Sequence, residues 1–315
     1  MDEGVLKGKF LGALGGTAVG DAVGAGFEGR RADEAEAIEW ATDRREILTY
    51  TDDTHMMIGM AESLVQKEGF DGEHMARVFI RNYETEPWRG YGPGPPRIFR
   101  MIRAGEAWDK AAEKLYHGGS YGNGSAMRIA PLAVFYHNDL TMLREVAYRS
   151  SQITHSHVLG KEGAALQAYA VALAAGLEPG KAFESRRFLS RLGELIQHET
   201  YKKKLESVAM LLGEADKAKA VAELGNGVEA FNSVPTAIYS FLSHPDSFKE
   251  LVLFAVSLGG DTDTIAAMAG AIAGAYLGVH AVPNKWLMKL ENREYIEELA
   301  VVLYDVWARR RKAPD

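Results

Sequence analysis

Two short clusters of threonine and aspartate, near opposite ends of the chain, carry the clearest chemical signal in the sequence. Residues 51–54 read Thr-Asp-Asp-Thr, and residues 261–264 read Asp-Thr-Asp-Thr. Each cluster directly precedes a segment whose apolar residues have helical spacing. Helix capping is therefore one interpretation, because Thr and Asp are favourable N-cap residues and acidic side chains suit the positive end of a helix.

A shared cation site is the second interpretation, and the presence of two such clusters favours it. The segment after the second cluster is so apolar and Ala-rich that we expect a buried helix, which would shield the aspartates at its start. Shielded carboxylates repel one another unless cations neutralise them. The chain has no cysteine, so oxygen or imidazole must hold any metal, which favours magnesium, calcium or manganese. We predict a site for a pair of divalent cations.

Three further features could contribute to a site, and each also has a simpler explanation. Residues 121–128, which overlap the Gly-rich segment 118–124, can present backbone N–H groups to phosphate oxygens, although turns use the same residues. Glu28 follows several glycines that could hold it over a site, although an isolated glutamate is usually solvated. His155 and His157 do not share a helix face, which favours hydrogen bonding over metal ligation.

The elements that must position these residues are almost all helices. Residues 84–96, rich in Gly and Pro, and residues 116–124, rich in Gly, are predicted loops. No internal repeat or linker divides the chain, so we predict one compact all-α domain spanning residues 1–315. Apolar residues recur at helical spacing in segments 4–20, 55–67, 72–83, 142–152, 161–175, 183–199, 201–212, 217–224, 234–243, 248–256, 264–277 and 294–311.

Composition and charge exclude several classes of function. The chain is 47% hydrophobic and carries a net charge of −7 without a basic stripe, which argues against nucleic-acid binding. Residues 265–284 lack charged side chains, but they are mostly Ala and Gly, which favours a helix buried in a bundle over a membrane span. The N-terminus does not resemble a signal peptide. We expect a monomeric cytoplasmic protein without membrane contact.

The order of these motifs resembles the ADP-ribosylglycohydrolase family over nearly the whole chain. Within the family, Glu28 and the Gly-rich segment are closest to the branch that removes ADP-ribose from serine and trims poly(ADP-ribose). The resemblance implies an orthogonal helical bundle with a binuclear magnesium (Mg²⁺) centre. The matching segments are residues 15–28, 50–54, 120–124, 154–155, 233–239 and 258–264.

The resemblance also implies a role for each residue of the site. Glu28 matches the catalytic glutamate of that branch. The adenine partner stays open, because Leu115 stands where an aromatic residue is expected, which leaves Tyr116 or Tyr121. The implied metal ligands are Thr51, Asp52, Asp53, Asp261, Asp263 and Thr264. The residues implied to bind ADP-ribose are Asp52, Gly118, Gly119, Ser120, Tyr121, Gly122, Asn123, Gly124, His155 and Val228.

The implied reaction hydrolyses the glycosidic bond between a ribose C1 atom and a serine oxygen of an ADP-ribosylated protein. Poly(ADP-ribose) and O-acetyl-ADP-ribose are further substrates that the resemblance allows. Two alternatives stay open. An ADP-ribosyl-arginine hydrolase would not require a glutamate at position 28, and a non-catalytic module would bind ADP-ribose without releasing it from proteins.

Overall fold

The chain folds as a bundle of helices, as the spacing of its apolar residues predicts. The computed structural model describes residues 2–30, 34–178, 183–214 and 216–312. Within these ranges there is no β-strand, and a 3₁₀ turn (Val279–Ala281) joins the fifteenth and sixteenth helices. The α-helices are α1 (Glu3–Gly24), α2 (Ala35–Arg44), α3 (Asp52–Lys67), α4 (Gly72–Thr85), α5 (Gly94–Arg103), α6 (Ala111–Leu115), α7 (Ala130–Phe135), α8 (Leu140–Gln152), α9 (Val158–Gly176), α10 (Ser185–Leu195), α11 (Glu199–Leu211), α12 (Lys217–Leu224), α13 (Ala230–Ser243), α14 (Phe248–Ser257), α15 (Thr262–Leu277), α16 (Asn284–Leu287) and α17 (Arg293–Lys312).

The centre of the fold is a close antiparallel pair formed by α1 and α15. Glycine at every fourth position of one face of α1 makes this approach possible, because a Cβ atom there would overlap the backbone of α15. The four positions are Gly12, Gly16, Gly20 and Gly24. Glycine inside a helix costs roughly 0.5–1 kcal/mol relative to alanine, so the packing must offset that cost. The pairing places the end of α1 beside the start of α15, where the second acid cluster lies.

Helix α15 lies in the middle of the bundle. Its residues 262–276 are all buried, and α1, α9, α13 and α14 pack around it. The uncharged segment that begins at residue 265 is therefore a buried helix, as predicted. Across the four described ranges, no helix is long and apolar enough to cross a membrane.

Helix α3 brings the first acid cluster to the same place, because it contacts both α1 and α15. Thr51 is its N-cap residue, and the Thr51 hydroxyl accepts a hydrogen bond from the backbone N–H of Asp53 at 3.4 Å. Two helix starts that are distant in the sequence therefore meet at the end of the α1–α15 pair.

The predicted helix at residues 183–199 is too long, because α10 spans only Ser185–Leu195 and α11, predicted at residues 201–212, already begins at Glu199. The buried carboxylate of Glu162 accepts the backbone N–H groups of Gln197 and His198 at 2.6 and 2.9 Å. A continuous helix would use those N–H groups internally. A tertiary contact therefore interrupts a helical pattern that the local sequence would allow.

The predicted loop at residues 84–96 ends earlier than expected, because α5 begins at Gly94. Pro95 and Pro96 lie in the first turn of α5, where a missing backbone N–H leaves no hydrogen bond unmade. The short helices α2, α6, α7 and α16 were not predicted either. Helices of four to ten residues offer too few turns for a clear apolar period.

Candidate active site

A cleft of about 310 Å³ opens where the two acid clusters meet. Of the residues to which the resemblance gives a catalytic, metal-binding or ADP-ribose-binding role, only Gly118, Gly119 and Tyr121 do not line it. The residues that do are Glu28, Thr51, Asp52, Asp53, Ser120, Gly122, Asn123, Gly124, His155, Val228, Asp261, Asp263 and Thr264. The structure therefore brings both acid clusters, the glutamate and most of the Gly-rich segment to one cavity.

The two clusters begin their helices in different ways. Thr51 caps α3 with its hydroxyl group, as the capping interpretation expects. Asp261 stands at the N-cap position of α15 but makes no capping bond with its side chain. Its Oδ2 atom instead accepts a hydrogen bond from the side-chain amide of Asn123 at 2.5 Å. Capping therefore explains Thr51, but it does not explain the aspartates.

A buried carboxylate that the sequence analysis missed, Asp21 on α1, anchors the first cluster. It accepts the backbone N–H groups of Thr51 and Thr54 at 3.1 and 3.0 Å. It also accepts their hydroxyl groups, at 2.9 and 2.6 Å. Burial raises the pKa of Asp21 to about 6, although these hydrogen bonds oppose the shift. The available signal was a lone aspartate within a helix of small and apolar residues.

Burial disfavours ionisation throughout the acid clusters. Desolvation raises the pKa of Asp53 well above its usual range, and the neighbouring charge of Asp263 raises it further. Burial acts in the same way on the pKa of Asp263, with Asp261 as the main neighbouring charge. Burial, followed by the charge of Asp21, raises the pKa of Asp52 to about 7. These carboxylates cannot all ionise together without a positive charge between them.

A metal ion fits this arrangement of carboxylates. Oxygen atoms of Glu28, Asp261 and Asp263 lie within 4.8 Å of one another. The buried Oδ2 atom of Asp53 finds no hydrogen-bond donor among the described residues. Hard cations prefer such oxygen ligands, and their charge would offset the repulsion between the carboxylates. The acid clusters can therefore bind a metal, and Glu28 stands among the candidate ligands.

Two positions of the Gly-rich segment can be occupied only by glycine without strain. Gly118 and Gly119 have φ values of 82° and 83°, in the left-handed region that favours glycine. A Cβ atom on Gly119 would also overlap the backbone of His157. These two glycines therefore turn the chain towards the cleft without lining it.

Asn123 connects the Gly-rich segment to the rest of the site. Its backbone N–H donates to the carbonyl oxygen of Val228 at 2.9 Å. Its side-chain amide donates both to Asp261 and, at 3.0 Å, to the hydroxyl of Ser233. The segment is therefore fixed relative to the second acid cluster.

The loop after α4 and the first residues of α5 supply part of the cleft wall, in a segment that the sequence predicted only as a loop. Gly90, Gly92, Pro93, Gly94 and Pro95 line this wall. A Cβ atom on Gly90 would lie 3.7 Å from Oδ1 of Asp52, so the wall directly borders the first acid cluster. A run of Gly and Pro was the available signal.

The two candidate aromatic residues occupy different positions. Tyr116 lines the cleft, and its hydroxyl oxygen would lie 3.2 Å from a Cβ atom on Gly94. The side chain of Tyr121 does not line the cleft and is 48% exposed. The ring of Tyr121 instead makes an edge contact with His157.

The two histidines both form hydrogen bonds, as their spacing predicts. Nδ1 of His155 lies 2.8 Å from the hydroxyl oxygen of Thr154, and the imidazole packs against Gly124. His157 is the N-cap residue of α9, and its Nδ1 accepts the backbone N–H of Leu159 at 3.1 Å. Of the two, only His155 lines the cleft.

Comparison with known proteins gives the same result over the whole chain. A sequence profile of the ADP-ribosylglycohydrolase family matches residues 2–313. The bovine protein ADP-ribosylhydrolase ARH3 is 37% identical, over 96% of this chain and 93% of its own length. The human protein of that name is 35% identical, over 96% of this chain and 94% of its own length.

A solved structure agrees with these sequence comparisons. The structure titled "ADP-ribosylglycohydrolase-related protein complex" superposes with a TM-score of 0.76 and is 29% identical. The match covers 96% of this chain and 99% of that one. The all-α architecture, the meeting of the two acid clusters and the match along nearly the full chain have one explanation. The chain belongs to the ADP-ribosylglycohydrolase family and is a glycosidase that hydrolyses ADP-ribosyl bonds.

Proposed function

We propose that this protein releases ADP-ribose from serine residues of ADP-ribosylated proteins in a magnesium-dependent reaction. Poly(ADP-ribose) and O-acetyl-ADP-ribose are further proposed substrates. The observation that carries the proposal is the cleft in which both acid clusters, Glu28 and the Gly-rich segment meet. The bovine and human relatives named ADP-ribosylhydrolase support the reaction type. The preference for serine rests on the motif resemblance, above all on Glu28.

Two Mg²⁺ ions are the proposed cofactors. The raised pKa values and the unpartnered Oδ2 atom of Asp53 support a cation between the clusters. Bound there, the ions would supply the positive charge that orients the ribose hydroxyl groups of the substrate. The proposed ligands are Thr51, Asp52 and Asp53 on one side and Asp261, Asp263 and Thr264 on the other.

Glu28 is the proposed general acid and base. Its side chain is exposed at the cleft, and the Gly29 N–H donates at 3.0 Å to the carbonyl of Gly260, the residue just before the second cluster. Hydrolysis breaks the bond between C1 and the serine oxygen through an oxocarbenium-like transition state. A carboxyl group at this position can protonate the leaving oxygen and accept a proton from the attacking water.

The other end of the cleft is the proposed site for the nucleotide. The Gly-rich segment can offer backbone N–H groups to the pyrophosphate, and His155 and Val228 border the same space. Tyr116 is the proposed adenine partner, because it lines the cleft and Tyr121 does not. A protein with a net charge of −7 must attract an anionic ligand by such local groups.

The first prediction concerns Glu28→Gln. The amide keeps the shape of the side chain but cannot exchange a proton, so we expect release of ADP-ribose from a serine-linked peptide to fall about 10²- to 10⁴-fold. Binding of free ADP-ribose should persist. The measurement follows free ADP-ribose from serine- and arginine-linked peptides, with Mg²⁺ and with EDTA.

The matched control is Glu46→Gln, because Glu46 is an exposed glutamate that does not line the cleft. It should turn over the serine peptide like the unaltered protein. Full activity of Glu28→Gln would remove Glu28 from the proposed role. Release only from the arginine peptide would favour the arginine hydrolase, and ADP-ribose binding without release from either peptide would favour the non-catalytic module.

A further inference from the structure

A fully buried arginine, Arg128, contacts the cleft-lining residues Met56 and Thr154. No acidic side chain among the described residues forms an ion pair with it. Its guanidinium group packs 4.8 Å from the centre of the Phe79 ring and donates to the backbone carbonyl of Ser150 at 3.2 Å. A buried cation without a directly paired carboxylate is costly, although the charge of Asp52 acts on Arg128 from a greater distance.

Arg128 also donates to the hydroxyl oxygen of Thr154 at 2.9 Å. Because a guanidinium group can only donate hydrogen bonds, the Thr154 oxygen must be the acceptor. The other neighbour of that hydroxyl is Nδ1 of His155, at 2.8 Å. Thr154 is 1% exposed, so its own hydrogen atom would be buried without a partner unless Nδ1 accepts it. Both contacts are satisfied among the described residues when Arg128 donates to Thr154 and Thr154 donates to Nδ1.

This order of donors determines the state of the His155 ring. Nδ1 accepts and carries no hydrogen, so in the neutral ring the hydrogen must be on Nε2. Burial, followed by the nearby charge of Arg128, lowers the pKa of His155 to about 3, which keeps the ring neutral. Nε2 forms no hydrogen bond with the described residues and lies beside Gly122 and Gly124, which line the cleft.

We propose that Arg128 is a positioning residue that acts through Thr154 to present the Nε2–H group of His155 to the ligand. The ligand atom that fits is an acceptor oxygen, such as those of a phosphate or ribose group. The identity of this ligand as ADP-ribose rests on the proposed function, whereas the state of the ring does not. The imidazole is held in one orientation between Thr154 and the Gly-rich segment, so its donor is fixed before the ligand binds.

The test combines NMR of the ligand-free protein with binding of ADP-ribose. Two-bond ¹H–¹⁵N spectra of the ¹⁵N-labelled protein should show His155 with an unprotonated Nδ1 whose resonance carries the shift of a hydrogen-bond acceptor. A His155→Gln variant assigns the signals. Thr154→Val keeps the side-chain shape and removes the hydroxyl group, so the acceptor shift should vanish and the Kd for ADP-ribose should rise about tenfold. Thr154→Ser should restore both.

Arg128→Met tests the other end of the hydrogen-bond chain. Without the guanidinium donor, the Thr154 oxygen can accept from the ring, so a fraction of Nδ1 should become protonated. Thermal melting will show whether Arg128→Met is folded. If it is not, Thr154→Val still tests the proposal.

A protonated Nδ1 in the unaltered protein would overturn the proposal. An unchanged spectrum and affinity in a folded Thr154→Val variant would overturn it as well. A protein that shows the expected ring state but binds no ADP-ribose would support the hydrogen-bond chain and contradict the proposed function instead.

Discussion

The two Thr/Asp clusters are alike in sequence but are held in the fold by different kinds of group. Residues 51–54 are held by another carboxylate, because Asp21 accepts four of their hydrogen-bond donors. Residues 261–264 are held by neutral groups, since Asp261 bonds to the amide of Asn123 and, through its own N–H, to the carbonyl of Asn226 at 2.9 Å. Anchoring by Asp21 adds a buried acid to an already acidic site, so the first cluster should depend more strongly on a bound cation.

Removing each anchor in turn tests whether the two clusters differ in this way. Asp21→Asn places an amide NH₂ among four donors that need an acceptor, so the start of α3 should lose its fixed position. Mutation of a residue that hydrogen-bonds to a metal ligand typically weakens metal binding about 10- to 100-fold. For Asp21→Asn we expect a loss near the upper end of that range. Calorimetric titration of Mg²⁺ into the ligand-free variant measures the effect.

Asn123→Ala is the matched change at the second cluster, and it should weaken Mg²⁺ binding only about tenfold. The smaller loss is expected because the backbone of Asp261 keeps its own hydrogen bond to Asn226. Thermal melting must show that both variants are folded. Equal losses in the two variants, or a larger loss in Asn123→Ala, would contradict the difference between the anchors.

A smaller effect should appear in the pH dependence of stability. Burial raises the pKa of Asp21 to about 6 and that of Asp52 to about 7, whereas both groups have ordinary values near 3.8 in an unfolded chain. Their contribution to metal-free stability is therefore fully present below about pH 4 and is lost as the pH rises through about 6 to 7. Mg²⁺ should offset that loss, so its effect on Tm should grow from about pH 5 to about pH 8.

Thermal melting with and without Mg²⁺ across this pH range checks the expectation. The Asp53→Asn variant is the control. It removes one carboxylate from the repelling group, so its Tm without Mg²⁺ should depend less on pH. A gain in Tm from Mg²⁺ that is the same at every pH would show that the acid clusters are not the source of the effect.

The residues of the site were easier to predict from the sequence than their supports. Two clusters of Asp and Thr are easily recognised in the sequence, and helical periodicity predicts that a helix begins at each. Their meeting depends on the glycine face of α1, which periodicity does not reveal. It was inferred from the repulsion expected between shielded carboxylates and from the family resemblance. Asp21 was missed because its helix is otherwise small and apolar, and the break between α10 and α11 depends on the distant Glu162.

Some of the residues that position the site cannot be recognised from the local sequence. The donor order from Arg128 through Thr154 to His155 depends on tertiary contacts that no spacing rule describes. The single domain over residues 1–315 and the monomeric state both remain predictions.

The most direct test of the central claim is a Mg²⁺ titration of EDTA-stripped protein, compared with Asp263→Asn. If the two clusters together hold the cations, the unaltered protein should bind two Mg²⁺ ions, and the variant should lose more affinity than the roughly 100-fold expected for removing a partner of a ligand. Release of ADP-ribose from the serine peptide should fall in parallel. An unaltered protein that binds no Mg²⁺, or a variant that binds it equally well, would contradict the account.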